Sequence, residues 1–144
     1  MFTPVSTRAA SAYKTVAVET GVQGADPHEL VGLLFDGLMQ SMNLARGAMQ
    51  RGDMDTKGKA LGKAVRILEE GLKAGLNPRE GGQLAHNLRA VYEYSIQRLT
   101  MANMRNDDKL IVEVTALIEP VAQSWKDIRG ATPAALQPAT GPGA

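Results

Sequence analysis

Apolar residues recur in steps of three and four along four separate stretches, each bounded by residues that start or stop a helix. The most regular is 80–106, EGGQLAHNLRAVYEYSIQRLTMANMRN, with Ala85, Leu88, Tyr92, Ile96, Leu99 and Ala102 on one face. A strand would need strict alternation instead. Gly81 and Gly82 punctuate its start, and Asn106 suits the left-handed conformation of a helix end. About 24 helical residues would span roughly 36 Å. A rod with one apolar face needs partners.

Three further helices are expected. Asp26-Pro27-His28-Glu29 is a strong start, with Asp26 as cap and Pro27 at the first helical position. Val31, Phe35, Leu38, Met42, Ala45 and Met49 follow, widened by Leu30 and Leu34, and Gly52 ends the run. Asp53 opens the second helix at once, with Leu61, Val65, Leu68 and Leu72 as its stripe and Lys73-Ala74-Gly75 as its close. Residues 76–82 (LNPREGG) read as a loop before the third helix. The fourth carries Leu110, Val114, Leu117, Val121, Trp125 and Ile128, with Pro120 expected to kink it and Gly130 to end it.

Short connections make neighbouring helices antiparallel, so the fold class is all-α, an antiparallel up-down-up-down four-helix bundle at 26–130. Leu61, Leu68, Leu88, Leu99, Leu117 and Trp125 are expected inside it. Residues 1–25 are expected to be a mobile N-terminal arm, with 7–20 as a short helix, and 131–144, rich in Pro, Gly and Ala, a disordered tail that adds nothing to fold or binding.

Composition narrows the function. Lys and Arg number 16 against 15 Asp and Glu, so no global field draws the chain to nucleic acid. No apolar run is long enough to insert in a membrane, and the first residues lack the core of a secretory signal. With no Cys there is neither disulfide nor thiolate metal site, which fits a cytoplasmic location. Six glycines in the first two helices (Gly32, Gly37, Gly47, Gly58, Gly62, Gly71) and seven Met point to shallow grooves and deformable surface.

Catalytic chemistry is hard to find. His28 and His86 sit in different helices, there is no HExxH or Glu-x-x-His pair, and GKALGK at 58–63 has the wrong spacing for a phosphate loop. No cofactor and no metal is expected, and no enzyme. The alternative is at Ala85-His86-Asn87-Leu88-Arg89-Ala90, which resembles the helix of histidine phosphotransfer domains, with His86 as phosphoacceptor.

Several stretches taken in order resemble the flagellar secretion chaperone family, the FliS proteins. They include Tyr13-Lys14 with Val16; Asp26-Pro27-His28-Glu29-Leu30-Val31; Leu34-Phe35-Asp36-Gly37; Arg51-Gly52-Asp53; Gly81-Gly82-Gln83-Leu84-Ala85; Val91-Tyr92-Glu93-Tyr94; Arg98-Leu99 with Ala102-Asn103; and Trp125-Lys126. Pro120, Asp26 where Ser is usual, and the tail depart from the family pattern. The resemblance implies a cytoplasmic helical bundle that binds the C-terminal segment of flagellin, prevents premature polymerisation and delivers it to the flagellar type III export gate, without ATP or metal. Other flagellar regulators are further partners it allows, as monomer or homodimer.

Candidate contact residues follow. Tyr94 lies off the apolar stripe, whereas Tyr92 lies on it. Asn87 and Asn103 are either helix–helix clamps or donors to a peptide backbone. Arg98 pairs with Glu93 or with a neighbouring helix. Tyr13 and Val16 match the family's arm, a lid over the groove that also docks at the export gate.

Overall fold

The computed structural model describes residues 26–128. Four helical rods make up this part: α1 (Pro27–Arg51), α2 (Met54–Arg66, continuing as a π-helix over Ile67–Lys73), α3 (Pro78–Arg105) and α4 (Asp108–Asp127). There is no strand among the described residues. The expected arm, with Tyr13 and Val16, and the tail with Gly130 lie outside them.

Each boundary has a local cause. Asp26 accepts from the Glu29 amide at 2.8 Å and Pro27 follows it, so α1 starts where its unpaired amides are met. Gly52 ends α1 at φ 73°, and Asp53 at once caps α2 through the Thr56 amide at 3.1 Å. Asn106 closes α3 at φ 51°, and Asp107 caps α4 through the Lys109 amide at 3.0 Å. With turns this short, successive helices return alongside one another.

The core is one cluster drawn from all four rods. Phe35, Leu38 and Met42 of α1 meet Leu61 and Leu68 of α2, Tyr92 and Leu99 of α3, and Ile111, Ile118 and Trp125 of α4. Trp125 also closes the bundle chemically. Its Nε1–H donates to the His28 carbonyl at 2.9 Å, and His28 Nε2 donates to the Trp125 carbonyl at 2.9 Å. The two rings stack with centroids 4.7 Å apart. The first turn of α1 is thereby fastened to the last turn of α4. Nearby, Lys126 Nζ reaches Asp36 at 2.7 Å, and farther along Arg46 reaches Asp108 at 3.4 Å.

Several expectations need correction. Leu117 is 39% exposed, and Ile118, fully buried, takes its place in the core. Val114, Ile118, Ala122 and Trp125 are also spaced by three and four, so the buried stripe is one residue out of phase with the expected one. α4 runs unbroken through Pro120, which lies on the exposed side with Ala116, whose carbonyl loses its helical donor. The stretch 76–82 is not all loop: Asn77 accepts from the Glu80 amide and a helical turn begins at Pro78. The glycines still mark a break, because Gly82 takes φ 55°, ψ −129°, a conformation that needs glycine.

The second half of α2 is the other departure. Its π turns bring Gly71 so near α1 that a Cβ there would lie 3.0 Å from Leu34 Cδ2. Gly58 and Gly62 behave oppositely, since a Cβ at either would meet nothing within 4 Å. Close packing therefore accounts for Gly71 and leaves those two unexplained by the fold.

The phase of α4 is testable by stability. Ile118→Ala is expected to cost about 2–5 kcal/mol, and Leu117→Ala less than about 1 kcal/mol. Urea unfolding of both variants measures the difference, and equal costs would return the helix to its expected phase.

Candidate functional site

α3 carries two stripes. Ala85, Leu88, Tyr92, Ser95, Leu99 and Ala102 are buried. A second set, Leu84, Asn87, Val91, Tyr94, Arg98 and Met101, is also spaced by three and four, on the flank that looks toward α4. That orientation is fixed by Glu113 of α4, which is bonded by both Tyr94 and Arg98. One turn beyond Glu113 comes Leu117, and beyond it Val121. The two antiparallel helices thus frame an outer groove about 26 Å long, from Leu84 to Met101 at 1.5 Å per residue.

Part of this groove is apolar. Seven large apolar side chains are exposed among the described residues, and Leu84, Tyr94 and Leu117 are three of them. Val91, Met101 and Val121 lie half-buried against the core beneath. Asn87, at its upper end, is exposed and accepts from Gln83 Nε2 at 2.8 Å.

One polar cluster interrupts it. The Tyr94 hydroxyl donates to Glu113 Oε2 at 2.5 Å, and Arg98 Nε donates to Glu113 Oε1 at 2.8 Å. The guanidinium carbon stands 5.7 Å from the Tyr94 ring centroid, and Nη1 approaches the Met101 sulfur at 4.0 Å. The Tyr94 hydroxyl, and then Arg98, hold the Glu113 carboxyl below its usual range. The same bond to Glu113 pushes the Tyr94 phenol up. Arg98 therefore pairs across to the neighbouring helix and not with Glu93. Glu93 instead meets Lys73 and Arg89, each at 3.4 Å, and these two hold its carboxyl low in that order.

Asn87, Tyr94 and Arg98 thus lie along one groove, but Asn103 does not. Its side chain is exposed, and its carbonyl accepts from Lys57 Nζ at 3.1 Å. Lys57, only 7% exposed, also reaches Asn106 Oδ1 at 3.3 Å. The ammonium satisfies the C-terminal end of α3, where carbonyls lack helical donors. Nothing in the sequence marked Lys57 for this, because its partners are some fifty positions away. Among the described residues neither asparagine side chain bridges two helices.

His86 is exposed on α3. No group of His, Asp and Glu that could hold a metal ion occurs among the described residues. No helix there is long and apolar enough to cross a membrane.

The Glu113 cluster has pH signatures of opposite sign. The lowered carboxyl contributes stability above the ordinary carboxylate pKa, and this is lost as pH falls through its folded value. The raised phenol contributes below the ordinary tyrosine pKa, and this is lost as pH rises through its folded value. Titrating the Tyr94 ring by NMR should give a midpoint above that of a free tyrosine, and Glu113→Gln should lower it. A midpoint indifferent to that substitution would rule out the bond as the cause.

The model of the family described as Flagellar protein FliS matches residues 9–132. The chain is 46% identical over 117 residues to the Flagellar secretion chaperone FliS of Salmonella typhimurium strain LT2, covering 81% of this chain and 87% of that one. It is 42% identical over 121 residues to the Flagellar secretion chaperone FliSB of Pseudomonas aeruginosa, covering 84% and 95%. With the Flagellar secretion chaperone FliS of Bacillus subtilis it shares 32% identity over 112 residues, covering 78% and 82%.

Proposed function

The chain belongs to the FliS family of flagellar secretion chaperones, and from that premise we propose that its client is the C-terminal segment of flagellin. It holds this segment in the cytoplasm, prevents premature polymerisation and hands it to the flagellar export gate. The family is one of chaperones and not of enzymes, so His86 is read as exposed polar surface.

The observation that carries the reading is the apolar groove of Leu84, Val91, Tyr94 and Leu117 between α3 and α4. A disordered segment that becomes helical on contact can lay one apolar face into such a groove. Ordering the segment offsets part of the gain from burial, so affinity stays modest for the area covered and the client remains releasable. Gly58 and Gly62, with open space over both, keep the surface of α2 low enough for a client chain to cross it closely.

The arm enters as the regulator of access. We further propose that Tyr13 and Val16, which lie outside the described residues, act as a lid on the α2–α4 surface that the client displaces, which would reduce apparent affinity by the fraction of time the site is closed. The same arm takes part in docking at the export gate.

Co-elution on a sizing column tests the client directly. Flagellin with its C-terminal segment should travel with the chaperone, and flagellin lacking it should not. Equal co-elution of both would place the contact elsewhere on flagellin. The arm is tested by Tyr13→Ala, which should raise self-association in light scattering and leave flagellin affinity, measured by calorimetry, intact or tighter. Much weaker client binding with unchanged association would make Tyr13 a client contact and not a lid.

A further inference from the structure

α4 is held differently on the two sides of Pro120. Before it, Asp108 pairs with Arg46 of α1, and Glu113 is bonded by Tyr94 and Arg98 of α3. After it about two turns remain, and these are bonded to α1. Trp125 and His28 exchange two hydrogen bonds and stack, and Lys126 reaches Asp36. The indole nitrogen lies over Gly32 of α1, where a Cβ would be 4.0 Å from it. The Lys126 pair is half-exposed and weak. Beyond Pro120 the buried residues are Ala122 and Trp125, so Trp125 is the anchor. The joint before them is weak. Pro120 has no N–H, which leaves the Ala116 carbonyl without its helical donor. In the preceding turn the Thr115 hydroxyl donates to the Ile111 carbonyl at 2.9 Å, a bond of the kind that bends helices.

We propose that residues 121–128 form a strap that opens as one unit, hinged at Pro120 and latched by the His28–Trp125 pair, while the rest of the bundle stays folded. Opening breaks both bonds between His28 and Trp125, frees the indole from α1 and bares the face of His28 and Gly32 beneath it. The Glu113 cluster lies before the hinge, so α3 and α4 remain tied throughout. The motion requires no client. It differs from ordinary fraying, in which a helix end loses its bonds one at a time from the last residue inward. Here the anchor stands beyond the weak joint, so the residues between them are held while the latch is shut and released together when it opens.

Native-state hydrogen exchange of the full chain, read by NMR, tests this. The amides of 122–127 and the Trp125 indole N–H should share one opening equilibrium. Corrected for intrinsic rates, they should exchange about tenfold or more faster than the amides of 111–118. Leu99→Ala, in the core of α3, should speed exchange of the 111–118 amides about tenfold or more. It should leave the strap within about twofold, because Leu99 stays packed when the strap opens. His28→Ala should speed the strap about tenfold or more. Pro120→Ala, which restores the missing N–H, should slow it by about the same factor. One rate for both parts of α4, with the strap following the core in Leu99→Ala, overturns the proposal. So does a smooth gradient from Asp127 inward with the indole N–H as slow as the core, which is fraying. A strap indifferent to Pro120→Ala removes the hinge and the proposal with it.

Discussion

The bundle depends on how Trp125 is held. A buried indole brings a large apolar body and one N–H that must find an acceptor, or cost about 1–3 kcal/mol. Here the acceptor is the His28 carbonyl, in the first turn of α1, which the helix itself uses only from below. His28 returns the bond to the Trp125 carbonyl, in the last turn of α4, where carbonyls lack helical donors. Two helix ends, 97 positions apart, each supply what the other lacks. Without that closure α1 and α4 would meet through apolar contact and two half-exposed ion pairs, which are worth little in water.

With the ring of helices closed, α3 becomes the rod with two assignments. Its buried stripe packs the core, and its neighbouring stripe supplies one bank of the outer groove. Tyr92 and Tyr94 show the division, since one is 1% exposed and the other 40%. A groove this apolar would invite unspecific contact if nothing interrupted it. The Tyr94–Glu113–Arg98 cluster does so, and it also ties the two banks together so that the groove keeps its width.

α2 contributes differently. Its N-terminal half carries Gly58 and Gly62 where no packing requires them, at roughly 0.5–1 kcal/mol each relative to Ala. Its C-terminal half widens into a π-helix against α1, where Gly71 is required by Leu34. The N-terminal half of the helix thus carries two glycines that packing does not require, and the C-terminal half one that it does.

The sequence by itself determined the four helices, their caps at Asp26, Asp53 and Asn106, the short turns that make them antiparallel, and the family. These are local matters: a cap needs residues three positions apart, and an amphipathic stripe needs only its own periodicity. It did not decide between Leu117 and Ile118, because both continue a three-or-four step from Val114 and both lead on to Trp125. The choice was made by how α4 seats against α1 and α3. The partner of Arg98, the buried Lys57 at the end of α3, and the π turn at Gly71 were likewise settled only in three dimensions. Each rests on a contact between helices whose relative rotation no single helix encodes.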